Sequence, residues 1–422
     1  MKALQWIEKI NTGAMDDAFL RLYGQTQNPR LRYSQVVNNY VNFFGEDELT
    51  ILSAPGRTEL AGNHTDHQLG HVLCAAVSLD TLAAVSPTED NRVTVFSEGF
   101  GETKISLDSL TPLDQEKGTT AALIRGVAAA LREMGFAVGG FRAYVTSEVP
   151  GGGGLSSSAA FEILVGAIFS ALYNHGAATP FQLAEAGYQA ENRYFGKPCG
   201  RMDQMACALG GIQMIDFANP QSPEVTGIDF SFRKAGYHLC VVDTKTDHAN
   251  LTEDYASIPR EMAAVAAAFG QTHLRYVNLL DFSRAMSRLE KELSPRCVLR
   301  AAHFFEEDRR VTQMAAVLMN SNAEAYRAMM QASGNSSRWQ LQNIVPDSHP
   351  EQRGLEIALD RCKTALQGQG AYRVHGGGFA GYVQCLVPEE RWDVFCREME
   401  GHYGHNAVTE LYIRPVGAYI LS

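Results

Sequence analysis

Eight cysteines are spread along the 422 residues without one C-x-x-C pair, which removes the spacing that cysteine-built zinc sites use. No apolar run reaches the roughly 18 to 20 residues needed to span a membrane. No basic block offsets the net charge of −11, so a nucleic-acid partner is not expected. Signatures of common nucleotide enzymes are also missing. No glycine-rich loop ends in Gly-Lys-Ser/Thr. No His-Arg-Asp loop occurs, and neither Asp216-Phe217 nor Asp281-Phe282 is followed by glycine, so the protein-kinase pattern is absent. The first residues lack a secretory pattern, and the scattered thiols are expected to be reduced, in a cytoplasmic protein.

What is present is ordinary in bulk and unusual in three places. Hydrophobic content of 45% and charged content of 20% suit a soluble globular protein with room for two to three domains. The first unusual place is Pro150-Gly151-Gly152-Gly153-Gly154-Leu155-Ser156-Ser157-Ser158-Ala159-Ala160. An alternating segment (141–149) precedes it. Phe161, Leu164, Val165, Ile168 and Leu172 then recur at helical steps on one face. Glycine allows close approach of backbone to a ligand, and a helix start favours negative charge. A connector would rarely run straight into so well patterned a helix, so this stretch reads as a phosphate-holding loop.

The second place is residues 54–70, where Arg57, Glu59, Asn63, His64, Asp66 and His67 sit among Gly56, Gly62 and Gly70. Such a mixture of donors and acceptors suits a polyhydroxylated ligand. His64, His67 and His71 also fall at metal-ligand spacings, but the glycines argue against the helix that a zinc site would need. The third place is Cys199-Gly200-Arg201-Met202-Asp203-Gln204, after Glu191. Alone, Asp203 reads as a charge at a helix start. Beside a phosphate loop, a carboxylate can orient or deprotonate an acceptor hydroxyl.

Between these places the pattern predicts helices over 1–45, 119–135 and 180–194. Strands are predicted over 49–54, 71–88, 92–97 and 212–217. Asn219-Pro220-Gln221-Ser222-Pro223 is the expected boundary. Beyond it come a strand at 237–243 and helices over 258–333. Strands at 371–375 and 381–387 flank Gly376-Gly377-Gly378, a helix carries Trp392, Phe395, Cys396 and Met399, and a final strand is predicted at 408–414. Strand, helix and strand on one sheet suggest an α+β sandwich of the split type.

Taken in order, Pro-Gly-Arg, Gly-Asn-His-Thr-Asp, the glycine-serine loop, Cys-Gly-Arg-Met-Asp-Gln and Gly376-Gly377-Gly378-Phe379 resemble the GHMP kinase superfamily, most closely the galactokinases. The resemblance implies an α+β fold of two domains. An N-terminal domain like ribosomal protein S5 domain 2 (1–220, with 1–45 a helical extension expected to act as a cap) would precede a ferredoxin-like C-terminal domain (221–422). It implies ATP-dependent phosphorylation of the anomeric hydroxyl of galactose. Gly151, Gly152, Gly153, Gly154, Leu155, Ser156, Ser157 and Ser158 would wrap the ATP phosphates, with Ser158 and Glu191 at Mg²⁺. Asp203 would be base or charge partner and Arg57 would stabilise charge. Asn63, His64, Asp66, Gly200 and Tyr255 would contact the sugar, and a monomer is the expected state. Asn63 stands where galactokinases usually carry glutamate. The neighbouring possibilities are therefore a kinase for N-acetylgalactosamine or L-arabinose and a catalytically silent sugar sensor. A zinc hydrolase built on the three histidines is the outsider.

Overall fold

A computed structural model of the chain describes residues 1–151, 154–197, 199–246 and 251–422; Gly152 and Gly153 of the expected phosphate loop lie outside them. Three helices open the chain: α1 (Ala3–Asn11), α2 (Asp16–Tyr23) and α3 (Gln27–Phe44). Trp6, Phe19, Leu22, Tyr33, Val37 and Tyr40 form their apolar stripe, which packs on Ile51, Leu82, Ala84 and Tyr144 of the first sheet. The extension is therefore a cap over one sheet face.

The first sheet begins with β1 (Thr50–Ala61), β2 (His71–Pro87), β3 (Arg92–Ser97) and β4 (Gly101–Ser106), and continues after α4 (Thr120–Glu133) with β5 (Phe141–Ser147). β2 is long enough to serve two neighbours on one side. Its residues 81–87 pair with β5, and its residues 71–75 pair with β6 (Ile212–Asp216), which in turn pairs with β7 (Glu224–Ile228). Helices α5 (Ser157–Tyr173), α6 (Pro180–Gln189) and α7 (Met202–Leu209) join α4 over the face opposite the cap. The single apolar face expected of α5 is too narrow a description. Ile163 and Ala167 are buried as well as Leu164, Val165 and Ile168, because the sheet and the other helices enclose it.

The second sheet holds β8 (Tyr237–Asp243), β9 (Ala371–Val374), β10 (Tyr382–Pro388) and β11 (Val408–Glu410) in the order β11-β8-β10-β9, all antiparallel. Counted from β8 this is 4-1-3-2, the split β-α-β order of a ferredoxin-like sheet. A helical insertion, α8 (Thr252–Ala267), α9 (Leu279–Glu292), α10 (Pro295–Met319) and α11 (Ala323–Ser336), separates β8 from α12 (Gly354–Leu366). α12 and α13 (Trp392–Tyr403) cover the outer face, with Phe395 and Met399 buried. Leu239 and Val241 face inward to meet Leu73, Val77, Met314 and Leu318, so the two sheets share a core.

Two boundaries differ from those the sequence suggests. The expected division at residue 220 is crossed by the first sheet: β7 lies beyond it, and the last strand, β12 (Tyr419–Leu421), pairs with β1. The expected strand over 408–414 ends at Glu410; Ile413 then bridges Val77 of β2. The segment leaves one sheet to join the other, which local pattern cannot show.

A buried ionic knot fixes this return. Asp80 accepts from Tyr23, Ser53, Arg32 and Arg414, and both Asp80 and Arg414 are fully buried. Burial opposes the Asp80 charge, but Arg32 and Arg414 hold its carboxyl below the usual range. Asp80→Ala leaves Arg414 buried without its counter-charge. The expected cost is about 3–5 kcal/mol, measured as a lower midpoint of urea unfolding; a loss under about 1 kcal/mol would mean the knot is dispensable.

Candidate functional site

The segment around Arg57, Thr58 and Glu59, read from sequence as a polar and glycine-punctuated stretch, is the inner half of β1. Its register against β2 shifts between Pro55 and Arg57 and again between Glu59 and Ala61. Such bulges re-aim side chains and recur beside active sites. Gly56 lets the strand touch the glycine-serine loop, since a Cβ there would come 2.8 Å from the Leu155 carbonyl oxygen. Arg57 then holds the loop twice: its backbone N–H donates to Leu155 O at 3.0 Å and its guanidinium donates to Gly154 O.

The same guanidinium reaches the third motif. Arg57 Nε donates to Asp203 Oδ1 at 2.8 Å, and Ser156 Oγ donates to Asp203 Oδ2. Ser156 takes a left-handed conformation (φ 61°) ahead of α5, whose start carries no side-chain cap, leaving its first N–H groups for an anion. Asp203 lies in the first turn of α7 with its side chain 31% exposed. Burial raises its pKa, but Arg57 and Ser156 outweigh that and hold the carboxyl below its usual range. The three elements bearing Arg57, Ser156 and Asp203 thus converge on one charged, partly open point.

Ser158 Oγ donates to Glu191 Oε1 at 3.1 Å, and Glu191 sits on a π-type turn (Ala190–Phe195) that continues α6. Glu191 also accepts from Lys197 Nζ (3.4 Å) and from Gln204 Nε2 (2.8 Å). Gln204 Nε2 reaches a second buried carboxyl, Glu162 (3.0 Å), which burial and the nearby Glu191 push well up in pKa.

Opposite stands the Gly376–Gly378 turn, whose three carbonyls are all captured by side chains. Asn63 Nδ2 donates to Gly376 O (2.6 Å), His64 Nε2 and Asn343 Nδ2 to Gly377 O (3.0 and 3.1 Å), and Tyr255 Oη to Gly378 O (2.8 Å). Asn63 is 1% exposed, and its other contacts are Glu59, Asn343 and Ser337. Its expected place as a sugar ligand is therefore corrected: every polar atom of its side chain is taken up inside the protein. His64 is similarly occupied, with Nδ1 facing His67 Nε2 at 3.2 Å. Burial and the His303 and Arg300 charges push its pKa down to about 4, so the ring is neutral.

Asp66 remains partly exposed. Its Oδ1 accepts from the His67 N–H (2.9 Å), and its Oδ2 lies where a Cβ on Gly200 would be, at 1.9 Å. Gly200 is thus required by Asp66. Burial and then Asp203 raise the Asp66 pKa to about 6. The three-histidine metal reading does not survive: His71 is pinned between Asp308 (2.9 Å) and Asp216 (3.1 Å), while His64 and His67 face each other. Among the described residues no cluster of three or more His, Cys, Asp or Glu could hold a metal. Sequence reasoning did not single out Thr58, Arg373, Gln384 or Asn343, which carry no local signal. His375 adjoins the triple glycine, which was a usable one.

The model of the GHMP kinase N-terminal domain matches residues 122–211, the span that holds the glycine-serine loop, Glu191 and Asp203. That segment of the chain carries the GHMP kinase N-terminal pattern. The galactokinase galactose-binding signature matches residues 38–87, around Arg57 and Asp66. Among solved structures the fold is similar to Lactococcus lactis galactokinase complexed with galactose, at 22% identity and TM-score 0.78, covering 92% of this chain and 99% of that one. It is also similar to Methanococcus jannaschii mevalonate kinase (16%, TM-score 0.62, 87% and 98% covered). A third likeness is Streptococcus pneumoniae phosphomevalonate kinase in complex with phosphomevalonate and AMPPNP (12%, TM-score 0.60, 88% and 99%). The α+β, two-sheet arrangement is that of GHMP kinases.

The Asp66 environment has a measurable cost. With a folded pKa of about 6 against 3.8 in the unfolded chain, this group favours the folded state below about pH 4. That stability is lost as the pH rises through 6. Asp66→Asn is therefore expected to stabilise the protein at pH 8, by on the order of 1–2 kcal/mol given its partial exposure, and to change nothing at pH 4. Equal effects at both pH values in chemical denaturation would contradict the electrostatic account.

Proposed function

We propose that the protein transfers the γ-phosphoryl group of ATP to the anomeric hydroxyl of galactose, giving galactose 1-phosphate. The observation that carries this reading is the convergence of Arg57, Ser156 and Asp203 at the mouth of the glycine-serine loop. Phosphoryl transfer asks a protein mainly for positioning and for charge placed where the transition state needs it. Arg57 supplies a fixed positive charge beside the loop, and Asp203 both anchors it and faces the acceptor. A carboxyl held below its usual pKa is a weak base. Asp203 therefore acts first by orienting the sugar hydroxyl, and proton uptake follows as the bond to phosphorus forms.

The galactokinase signature over residues 38–87 supports a sugar as the acceptor. Asp66, Gly200 and Tyr255 line the sugar's side of the reading, with His64 and Asn63 holding the Gly376–Gly378 turn behind it. The hydroxyl of Ser158 and the carboxylate of Glu191 are the hard oxygen donors that suit Mg²⁺, which is commonly shared with substrate phosphates. Bound there with the nucleotide, the metal would neutralise phosphate charge; the exposed Lys197 now pairs with that carboxylate.

The test is ADP release with Mg²⁺-ATP against galactose, N-acetylgalactosamine, L-arabinose, glucose, mevalonate and homoserine. Saturable turnover with galactose is expected, and Asp203→Ala should lower kcat about 10²- to 10⁴-fold. Turnover only with another sugar would revise the substrate. Nucleotide binding without any turnover would favour a silent sensor. Asn63→Glu, which places a second carboxylate against Glu59, is expected to leave sugar preference unchanged. It should lower stability by about 2–4 kcal/mol, read by thermal or urea unfolding; a switch in substrate without that loss would return Asn63 to the sugar pocket.

A further inference from the structure

His375 follows β9 directly, immediately before the Gly376–Gly378 turn, and is 3% exposed. Its two ring nitrogens are in different situations. Nε2 lies 2.9 Å from Thr58 Oγ1, whereas Nδ1 is buried with no partner among the described residues. The neighbours decide which nitrogen carries the proton. Gln384 Nε2 lies 2.7 Å from Thr58 Oγ1 and 2.9 Å from the Glu59 carbonyl oxygen. A carbonyl can only accept, so the amide presents its NH₂ to both atoms. Thr58 Oγ1 then accepts from Gln384, and the acceptor left for its own buried proton among the described residues is His375 Nε2. Burial and the charges of Arg57 and Arg373 keep the ring neutral. A neutral imidazole that accepts at Nε2 carries its proton at Nδ1.

An N–H donor is therefore held in a buried position with nothing among the described residues to receive it, a costly arrangement that points to a missing acceptor. Its direction is given by the glycine loop: a Cβ built on Gly154 would lie 3.2 Å from His375 Nδ1, and Gly376 packs on Gly154 as well. Arg57 donates to Gly154 O on the same stretch. The unmatched N–H thus faces the seam where the phosphate loop and the triple-glycine turn meet. We propose that His375 Nδ1–H is a phosphate-binding donor, which receives a phosphoryl oxygen of the nucleotide lodged between Gly154 and the Gly376–Gly378 turn. The proposal rests on the nucleotide reading made above and deepens it. It gives His375 neither a metal-binding lone pair nor a proton to transfer; the ring acts as a fixed neutral donor, oriented by the Gln384–Thr58 chain.

The experiment uses the full chain labelled with ¹⁵N at histidine ring nitrogens, and Mg²⁺-AMPPNP as the probe. One ring, assigned by its loss in His375→Asn, is expected to show the Nδ1–H tautomer without ligand and a downfield shift of that proton when AMPPNP saturates. Activity then separates donor from scaffold. His375→Leu is expected to lose roughly 10- to 100-fold in kcat/KM for ATP, while His375→Asn, whose amide can still donate, retains most of it; calorimetry with AMPPNP should rank the variants in the same order. An Nε2–H tautomer, a ring signal unmoved by bound AMPPNP, or equal losses in the two variants would overturn the assignment alone. A chain that binds neither AMPPNP nor ADP would overturn the nucleotide reading, and this one with it.

Discussion

The inner half of β1 carries three polar side chains in succession, Arg57, Thr58 and Glu59, and all three are buried. A buried polar group without a partner costs several times what a made hydrogen bond contributes, so each must be matched. The partners come from different parts of the chain. Arg57 is met by Asp203 and the glycine loop, Thr58 by Gln384 and His375, and Glu59 by Arg373 and Asn63. Arg373 and Gln384 belong to the second sheet, whose neighbouring face shares the apolar core with β2. Satisfying one strand therefore sets the distance between the sheets, the position of the glycine-serine loop and the place of the Asp203 carboxylate together.

That arrangement also divides the acidic groups by charge. Asp203 stays ionised because a guanidinium and a hydroxyl face its two oxygens. Asp66, close by, pairs with no cation among the described residues, and burial and then Asp203 outweigh the weaker pull of Arg57 and lift it toward neutrality. Glu162 is pushed up further behind Glu191, with Gln204 Nε2 donating to both. Neighbouring carboxyls with opposed shifts are the usual mark of a site that assigns separate tasks to like groups. Here the separation follows from where two cations, Arg57 and Lys197, can reach.

Local signals carried some of this into the sequence. The helix after the glycine-serine loop was legible because apolar steps of three and four persist over α5, and Asp203 was placed in a first helical turn because Met202, Met205 and Ala206 continue the pattern. Arg57 was legible as a site candidate but not as a strand residue, since bulges on both sides of it break the alternation that a strand would show. Asn63 looked like a ligand because its neighbours His64 and Asp66 share its composition. What turns it inward is Glu59 beneath it and Gly376, more than 300 residues later. The same holds for His71, whose side-chain partners Asp216 and Asp308 are remote in sequence.

By itself the sequence determined the elements, the three motif-bearing segments and their order, because these follow from residue size, glycine freedom and apolar period within a dozen residues. Only the tertiary structure decided that β7 and β12 complete the first sheet, that Asn63 is a strut, and that His375 Nδ1 is buried beside Gly154 without a partner among the described residues. Each of these depends on which buried polar atom finds which partner across the chain. That matching is a property of packed surfaces, and no local pattern encodes it.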